Sequence, residues 1–425
     1  MVVGDHGAQR FHRLGLLLPI GIVLPVSLIY LVVMPAGWEL LGGIAGVSGA
    51  LLVVMSMIFM LRFPGLARWT GGMESMYQLH REFALLGYLL LLIHPFAITA
   101  GEWRGLNLED KSWGFYAGWV SLALFVATLH LTFVFRARGI GFWRNLHWLT
   151  GLGFVLLVWH VVSFQIKNWT WLPAVLLDLL LLLGLVLPLA RYFLVDRGVK
   201  SARYRVVEVN RPVPNVIDLR LAPVDAPLAI QPGQFVFTRF MTGESFSGCN
   251  HFHPFTVSSV YDGGLLRLSI KALGHCTRRM QGLQPGADAR LQGPYGHLFE
   301  NTRRGSHVWI AGGIGITPFL ARAQMIDSSG VGVKLFYLNS NDETAAFVSE
   351  LKEIERQKPN FEFLPISTHG KVQIALSVFD AMLPPWDDKE YVLCGPPGLL
   401  STVRDYLQRN GVADEQIHEE RFDFK

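Results

Sequence analysis

Two apolar stretches each carry a histidine at both ends: His80 to His94 (HREFALLGYLLLLIH) and His147 to His160 (HWLTGLGFVLLVWH). Each has the length and apolarity of a membrane helix. An ionisable residue inside such a helix is costly and marks function by default. Neutral imidazole is a common ligand of haem iron. At 1.5 Å per residue the first pair stands ~21 Å apart along an ideal helix and the second ~19.5 Å. Two facing helices with those spacings can clamp two haems, one near each membrane surface, each iron held by two imidazoles. A lone intramembrane histidine is more often a hydrogen-bonded core residue, but four at two matching heights fit that reading poorly. One mismatch stands: fourteen residues return to within ~40° of the same helical face, whereas thirteen land ~140° away. The second helix therefore needs a local distortion or an offset approach, and Gly151 and Gly153 lie where a distortion would be tolerated.

The 425 residues allow two or three domains, and a mean hydropathy of +0.33 averages a greasy half with an ordinary soluble one. The break falls near Arg191. Before it six spans are expected, roughly 14–34, 38–61, 78–100, 114–135, 147–166 and 171–190. The first has too long an apolar run for a signal peptide and no small-residue cleavage site; it reads as a span kinked at Pro19 and Pro25. Arg10 and Arg13, Arg62 and Arg68, Arg136, Arg138 and Arg144, and Arg191, Arg197 and Lys200 fall in alternate connections. The other connections hold none, Arg104 and Lys111 offset by three acids, and Lys167. The positive-inside rule then puts both termini in the cytoplasm. His80 and His147 sit at the inner level, His94 and His160 at the outer. His130, on the fourth span, is the alternative inner ligand, with a propionate hydrogen bond or packing preferred for it. Trp38, Trp113, Trp143, Trp169 and Trp171 near span ends read as an interfacial belt. The net charge of +4 and pI near 8.9 partly reflect the loop bias, so nucleic-acid binding is not inferred. Cys249, Cys276 and Cys394 all follow the break, and with no CxxC neither a disulfide framework nor a structural zinc site is expected.

From Tyr204 to about Phe299, short alternating runs broken by Pro and Gly (RYRVVEV, VIDLRL, QFVFTRF, LLRLSIKA) predict a small antiparallel barrel. Within it stand His253-Pro254-Phe255-Thr256-Val257-Ser258-Ser259 at the end of a strand, Gly274-His275-Cys276-Thr277 opening a helix whose free amides suit a phosphate, and the turn Gly293-Pro294-Tyr295-Gly296. From His307 strands alternate with helical stretches (HVWIAG, VKLFYL, FEFLPIS, YVLCG), the pattern of a parallel sheet. After its first strand comes Gly312-Gly313-Ile314-Gly315-Ile316-Thr317-Pro318, and after its last Cys394-Gly395-Pro396-Pro397-Gly398. Both lie at the carboxyl edge, where such sheets bind ligands.

His-x13-His in one helix and His-x12-His two helices later resembles the NADPH oxidase and ferric reductase superfamily of transmembrane flavocytochromes, in its bacterial form. The resemblance runs from about the third span to the last residue and implies that the uneven spacing is workable. It implies a membrane α-helical bundle of six transmembrane helices with two haems (1–198) and a cytoplasmic ferredoxin-reductase-like module. That module is an antiparallel β-barrel FAD domain (199–304) and an α/β nicotinamide-nucleotide domain (305–425). The His-Pro-Phe-Thr form is the version of the flavin motif seen in that superfamily. By resemblance His253, Pro254, Phe255 and Thr256, with Ser258, contact the flavin and ribityl chain, and Gly274 and Thr277 take the FAD pyrophosphate. Gly312, Gly313, Gly315, Thr317 and Pro318, with Gly395 and Pro396, then hold NADPH or NADH, and Cys394 lies beside the nicotinamide. A terminal Glu-x-aromatic makes Glu420 part of the catalytic set and places Phe422 over the flavin, with Phe424 as alternative. An aromatic tail merely packed on the barrel is the structural counter-reading. The strand ending Tyr337-Leu338-Asn339-Ser340 lacks the arginine of many NADPH-preferring relatives; Lys371 or Arg322 could meet a 2′-phosphate instead. The absence of calcium-binding loops and long insertions suggests an enzyme needing no obligatory cytosolic activator.

The expected function is electron transfer across a bacterial cytoplasmic membrane, from cytosolic NAD(P)H through FAD and two bis-histidine b-type haems to an outside acceptor. Dioxygen, giving superoxide, is favoured; a ferric chelate is the alternative. A haem-containing conduit or sensor without turnover is the reading from a different class, and the paired flavin and nicotinamide motifs argue against it. Arg104, Lys111 or Lys167 are the candidate positive groups for an outer acceptor pocket, and Glu102, Glu109 and Asp110 the loop acids that could attract iron.

Overall fold

The computed structural model describes residues 8–420 except 34–36, 62–63, 71, 103–111, 136–139, 166–171, 194–200, 232, 244–245, 247–248, 250, 301, 303–304 and 328–329. The chain divides into two compact units, one made of Phe11–Leu66 with Ser75–Arg197 and the other chiefly of Gly198–Lys425.

The first unit holds, apart from the first residues of α1 and α4, six long helices: α1 (Ala8–Val33), α2 (Trp38–Phe59), α4 (Met73–Glu102), α5 (Trp113–Phe135), α6 (Ile140–Gln165) and α7 (Leu172–Arg191); a short α3 (Pro64–Thr70) between α2 and α4 falls mostly with the second unit. Among the described residues five helices, α2 and α4 to α7, are long and apolar enough to cross a membrane; in α1 the apolar stretch is Pro19–Val32. Nothing in the sequence pattern signals α3, since seven residues are too few to show a period. Leu, Val and Phe side chains from α2, α4, α5, α6 and α7 form one buried cluster, including Val53, Leu91, Phe125, Phe154, Leu157 and Leu181. Hydrocarbon tails are as apolar as leucine, so close approach and dispersion hold such helices together. Glycines permit it. A Cβ on Gly87 would come within 2.9 Å of the Gly49 carbonyl, and one on Gly184 within 2.7 Å of the Phe154 ring.

The second unit opens with a closed barrel in the order β1-β2-β5-β4-β3-β6. Its strands are β1 (Ala202–Val213), β2 (Val216–Pro223), β3 (Phe235–Phe240), β4 (His253–Val260), β5 (Leu266–Lys271) and β6 (Asp288–Tyr295). Alternation sends Ile217, Leu219 and Leu221, and Leu266, Leu268 and Ile270, into one apolar core, which Met280 and Leu283 close at one end. Met280 ends the short helix α8 (His275–Met280) that follows β5.

A five-stranded parallel sheet follows, in the order β11-β10-β7-β8-β9, built from β7 (Ser306–Gly312), β8 (Val333–Asn339), β9 (Phe361–Ser367), β10 (Lys389–Cys394) and β11 (Ile417–Glu420). Period-two alternation divides its side chains between two cores. Trp309, Leu335, Tyr337 and Phe363 pack with α9 (Thr317–Gln324) and α10 (Val348–Gln357). Val308, Ile310, Phe336 and Leu393 pack with α11 (Gln373–Met382) and α12 (Pro397–Arg409) on the other face. Each fully buried Leu, Ile, Val or Phe contributes about 1.5–3 kcal/mol. The strand order reverses between β7 and β10, and such a switch point opens a crevice at the carboxyl ends of the strands.

Barrel and sheet domain are tied by Arg267 of β5. Its Nε bonds Asp218 of β2 at 2.9 Å, its Nη1 bonds Glu350 of α10 at 2.8 Å, and its guanidinium lies 4.9 Å from the Phe347 ring centre.

One expectation is overturned. Cys249 and Cys276 are joined as a disulfide, with Cα atoms 5.2 Å apart. The spacing of 27 residues gives no local signal. The pairing follows from the barrel, where antiparallel β4 and β5 bring the segment before β4 and the segment after β5 to the same end.

Candidate functional site

The four histidines meet in the two pairs their heights predict. The ring centres of His80 and His147 are 6.2 Å apart, and those of His94 and His160 are 6.0 Å apart. Iron–nitrogen bonds of about 2 Å, with ring centres ~1.1 Å beyond the nitrogens, put two imidazoles on one iron ~6.2 Å apart. Both pairs match that requirement. The second nitrogen of three rings is accounted for. Nδ1 of His80 donates to the Ser56 carbonyl at 2.9 Å, that of His94 to Gly42 at 2.8 Å and that of His160 to Gly114 at 2.9 Å. A carbonyl only accepts, so Nδ1 carries the proton and the Nε2 lone pair is left for a metal.

His94 and His160 sit in matching cradles. His94 bonds the carbonyl of Gly42 and packs over Gly46; His160 bonds the carbonyl of Gly114 and packs over Gly118. A Cβ on Gly46 or Gly118 would sit 2.6 Å from the corresponding Nδ1. The two Gly-x-x-x-Gly runs, GGIAG on α2 and GFYAG on α5, were legible as sites of close helix approach, yet sequence reasoning passed over them.

Helix α6 runs unbroken from Ile140 to Gln165, so the thirteen-residue spacing is met without a break. The approach of the side chains takes up the offset. His130 is exposed and its Nδ1 bonds its own helix at the Val126 carbonyl, which removes it from contention as an inner ligand.

In the barrel, β3 and β4 pair Thr238 with His253, Phe237 with Pro254, Val236 with Phe255 and Phe235 with Thr256. Val257 faces the barrel core, so Pro254, Thr256 and Ser258 share the other face, against which α9 packs. Ser258 is fully buried and its hydroxyl bonds that of Ser269 at 2.8 Å, which in turn donates to Asp218. That hydroxyl is committed inside the protein. Thr277 has a similar local task, accepting from the amides of Leu273 and Gly274 at 2.9 Å each and so shaping the entry to α8.

At the sheet's switch point the two glycine motifs touch. β7 and β10 pair Ala311 with Cys394. A Cβ on Gly395 would meet the Gly312 backbone at 3.1 Å, and one on Gly315 would come within 2.8 Å of the Gly395 Cα. The Thr317 hydroxyl donates to the Ile314 carbonyl at 3.1 Å, and Pro318 sits in the first turn of α9, where a missing amide proton costs nothing. β11 places Glu420 beside Cys394 in register. A Cβ on Gly296, at the end of the Gly-Pro-Tyr-Gly turn, would meet Glu420 Oε1 at 2.8 Å. Barrel turn, Cys394 and Glu420 therefore converge. Burial pushes the Cys394 thiol well above its ordinary range. Burial, with the Glu74 carboxylate adding to it, raises the Glu420 carboxyl to about 8, and its Oε2 is buried without a hydrogen-bond partner. Phe422 and Phe424 lie outside the described residues, as do Arg104, Lys111, Lys167, Glu109 and Asp110.

Fold and site together define a membrane-embedded oxidoreductase with FAD- and NAD-binding domains. Residues 45–158 match the ferric reductase like transmembrane component, residues 199–297 an FAD-binding domain and residues 309–405 the oxidoreductase NAD-binding domain. The three matches in this order give the chain an NADPH oxidase and ferric reductase-like architecture. It is 33% identical over 128 residues to the vanillate O-demethylase oxidoreductase of Acinetobacter baylyi, covering 30% of this chain and 38% of that protein. It is 26% identical over 246 residues to the flavohemoprotein of Chromobacterium violaceum, covering 52% and 60%. The FAD/NAD-binding domain of nitric oxide dioxygenase from Vibrio cholerae superposes with a TM-score of 0.44 at 24% identity, covering 52% of this chain and 97% of that one. The chain therefore spans less than two thirds of the length of the first two curated relatives.

Proposed function

We propose that this protein carries electrons from cytosolic NAD(P)H, through FAD and two b-type haems, to an acceptor outside a bacterial cytoplasmic membrane, with dioxygen reduced to superoxide. The observation that carries the reading is the pair of ring separations, 6.2 and 6.0 Å, each fitting one six-coordinate iron. His80 and His147 would hold the inner haem, His94 and His160 the outer. FAD, when bound, splits a two-electron hydride donor into single electrons that the haems accept one at a time.

The chain's own residues do the rest. His253, Pro254, Phe255 and Thr256, with Ser258 behind them and Gly274 and Thr277 at the α8 entry, would hold FAD. Gly312, Gly313, Gly315, Thr317 and Pro318, with Gly395 and Pro396, would hold the nicotinamide nucleotide at the switch point. Cys394 and Glu420 border the place where donor and flavin meet, and Phe422 would cover the flavin when the nucleotide is absent. Export from a negative interior is downhill by ~2.3 kcal/mol per 100 mV.

Glu420 supplies a pH prediction. In the folded protein its carboxyl is neutral below about 8. Raising the pH through that value puts an unpaired charge beside Cys394. The single-turnover rate of FAD reduction by NAD(P)H should fall above pH 8, and Glu420→Gln should flatten that limb of the profile. A wild-type limb that survives in Glu420→Gln would assign it to another group.

With His94 and His160 both holding the outer haem, an outside acceptor would reach only the edge of that haem. Superoxide dismutase should then abolish most of the cytochrome c reduction seen with saturating NAD(P)H and FAD in air. Anaerobic ferric-chelate reduction much faster than aerobic oxygen uptake would instead make ferric iron the acceptor.

A further inference from the structure

We propose that Cys249 and Cys276 form a reversible oxidation site that sets how tightly the barrel domain holds FAD. The inference rests on the placement of FAD against His253–Thr256 and the α8 entry given above. The two cysteines flank that placement from both sides. Cys249 lies four residues before His253, the first residue of β4, and Cys276 stands between Gly274 and Thr277. The bond between them joins the two segments at one end of the barrel.

Three observations favour a switch over a permanent staple. The barrel has its own closed apolar core, so it does not depend on a crosslink as small secreted domains do. On the cytoplasmic side of a membrane a disulfide is an event rather than a default state, and there it usually serves sensing or catalysis. His253 also reads the change directly: its Nε2 lies 3.5 Å from Cys249 Sγ. Reduced Cys249 can donate its S–H to that nitrogen, whereas a disulfide sulfur has no proton to give. The ring is neutral, since burial, aided by the nearby His251, lowers its pKa to about 4. Oxidation therefore removes one of the two possible donors at this contact and leaves only an Nε2–H of His253 to make it, at the first residue of the flavin motif. Of the two sulfurs, that of the partly exposed Cys276 is the accessible one, while Cys249 and Cys394 are buried.

A small-molecule disulfide such as glutathione disulfide completes the reaction. The Cys276 thiolate attacks one of its sulfurs and releases one glutathione thiolate. The Cys249 thiolate then attacks Cys276 Sγ in the mixed disulfide and releases the second. One protein S–S bond forms and one glutathione S–S bond breaks. Two electrons pass to glutathione, and the two thiol protons end on its two thiolates. Oxidation ties the start of β4 to α8 and pre-orders both segments, which should tighten FAD binding about tenfold.

The test uses the full-length purified protein equilibrated with dithiothreitol or with glutathione disulfide. Alkylation after acid quenching and unfolding, read by mass, should label Cys249 and Cys276 only in the reduced sample. The FAD dissociation constant should be about tenfold lower in the oxidised one. Cys249→Ser and Cys276→Ser should each bind FAD as the reduced protein does and lose the difference. Equal dissociation constants in two samples whose thiol states are verified would overturn the proposal. So would one zinc per chain after purification, which would assign Cys249, His253 and Cys276, whose ligand atoms lie within 4.8 Å of one another, to a metal. Thr256→Ala separates the switch from the flavin placement. Weaker FAD binding in both redox states keeps the placement whatever the switch does, whereas unchanged binding removes the placement and the proposal with it.

Discussion

His94→Ala or His160→Ala is expected to leave one haem where the wild type is expected to hold two, and to stop electron export. The rate at which NAD(P)H reduces FAD should be unchanged. Either substitution removes one of the two imidazoles whose ring centres stand 6.0 Å apart, while the His80–His147 pair, with its own Ser56 hydrogen bond, is untouched. The residues proposed to hold flavin and nucleotide belong to the other compact unit. Turnover with an outside acceptor should fall by at least about 100-fold, the upper end for damage to a metal site's supporting groups. Loss of both haems in His94→Ala would mean that the pairs are not independent.

Gly118→Val should produce nearly the same loss without touching a ligand. The added Cβ would sit 2.6 Å from His160 Nδ1, where no real contact fits, and the ring must leave the Gly114 carbonyl to escape it. Gly46→Val should act on His94 in the same way. Outer-haem occupancy should fall at least about tenfold, since orienting partners of ligands are worth about that much. Gly151→Ala is the control: nothing lies within 4 Å of a Cβ there. It should bind both haems and turn over normally. If Gly118→Val retained a full, low-spin outer haem, the cradle would have no part in holding the ring.

Much of this architecture was readable because the relevant periods are long. The histidine heights depend only on helical rise, and they paired as spacing predicts. The barrel and the parallel sheet followed from alternation along strands of six residues or more. Of the two ways of meeting the helical phase of His147 and His160, the offset approach is the one used, because Cα phase is not ring position. An imidazole reaches several ångströms from its backbone, and α6 needs no break to use that reach. Short elements escaped notice: seven-residue α3 and four-residue β11 carry too few residues to show a period. What depends on register escaped as well. Cys394 and Glu420 are 26 positions apart and meet only because β10 and β11 pair in parallel. Cys249 and Cys276 meet only through the β4–β5 pairing. Ser258 was grouped with the flavin residues from its motif, but the Ser269–Asp218 chain engaging its hydroxyl comes from two other strands.

The central claim is that each histidine pair holds its own iron. The direct measurement is the haem-to-chain ratio of fully loaded protein together with its absorption spectrum. The account predicts two haems per chain, both six-coordinate and low-spin, both reduced anaerobically by NAD(P)H when FAD is present. One haem per chain in such a preparation, or a second haem that persists in the double variant His94→Ala/His160→Ala, would contradict it.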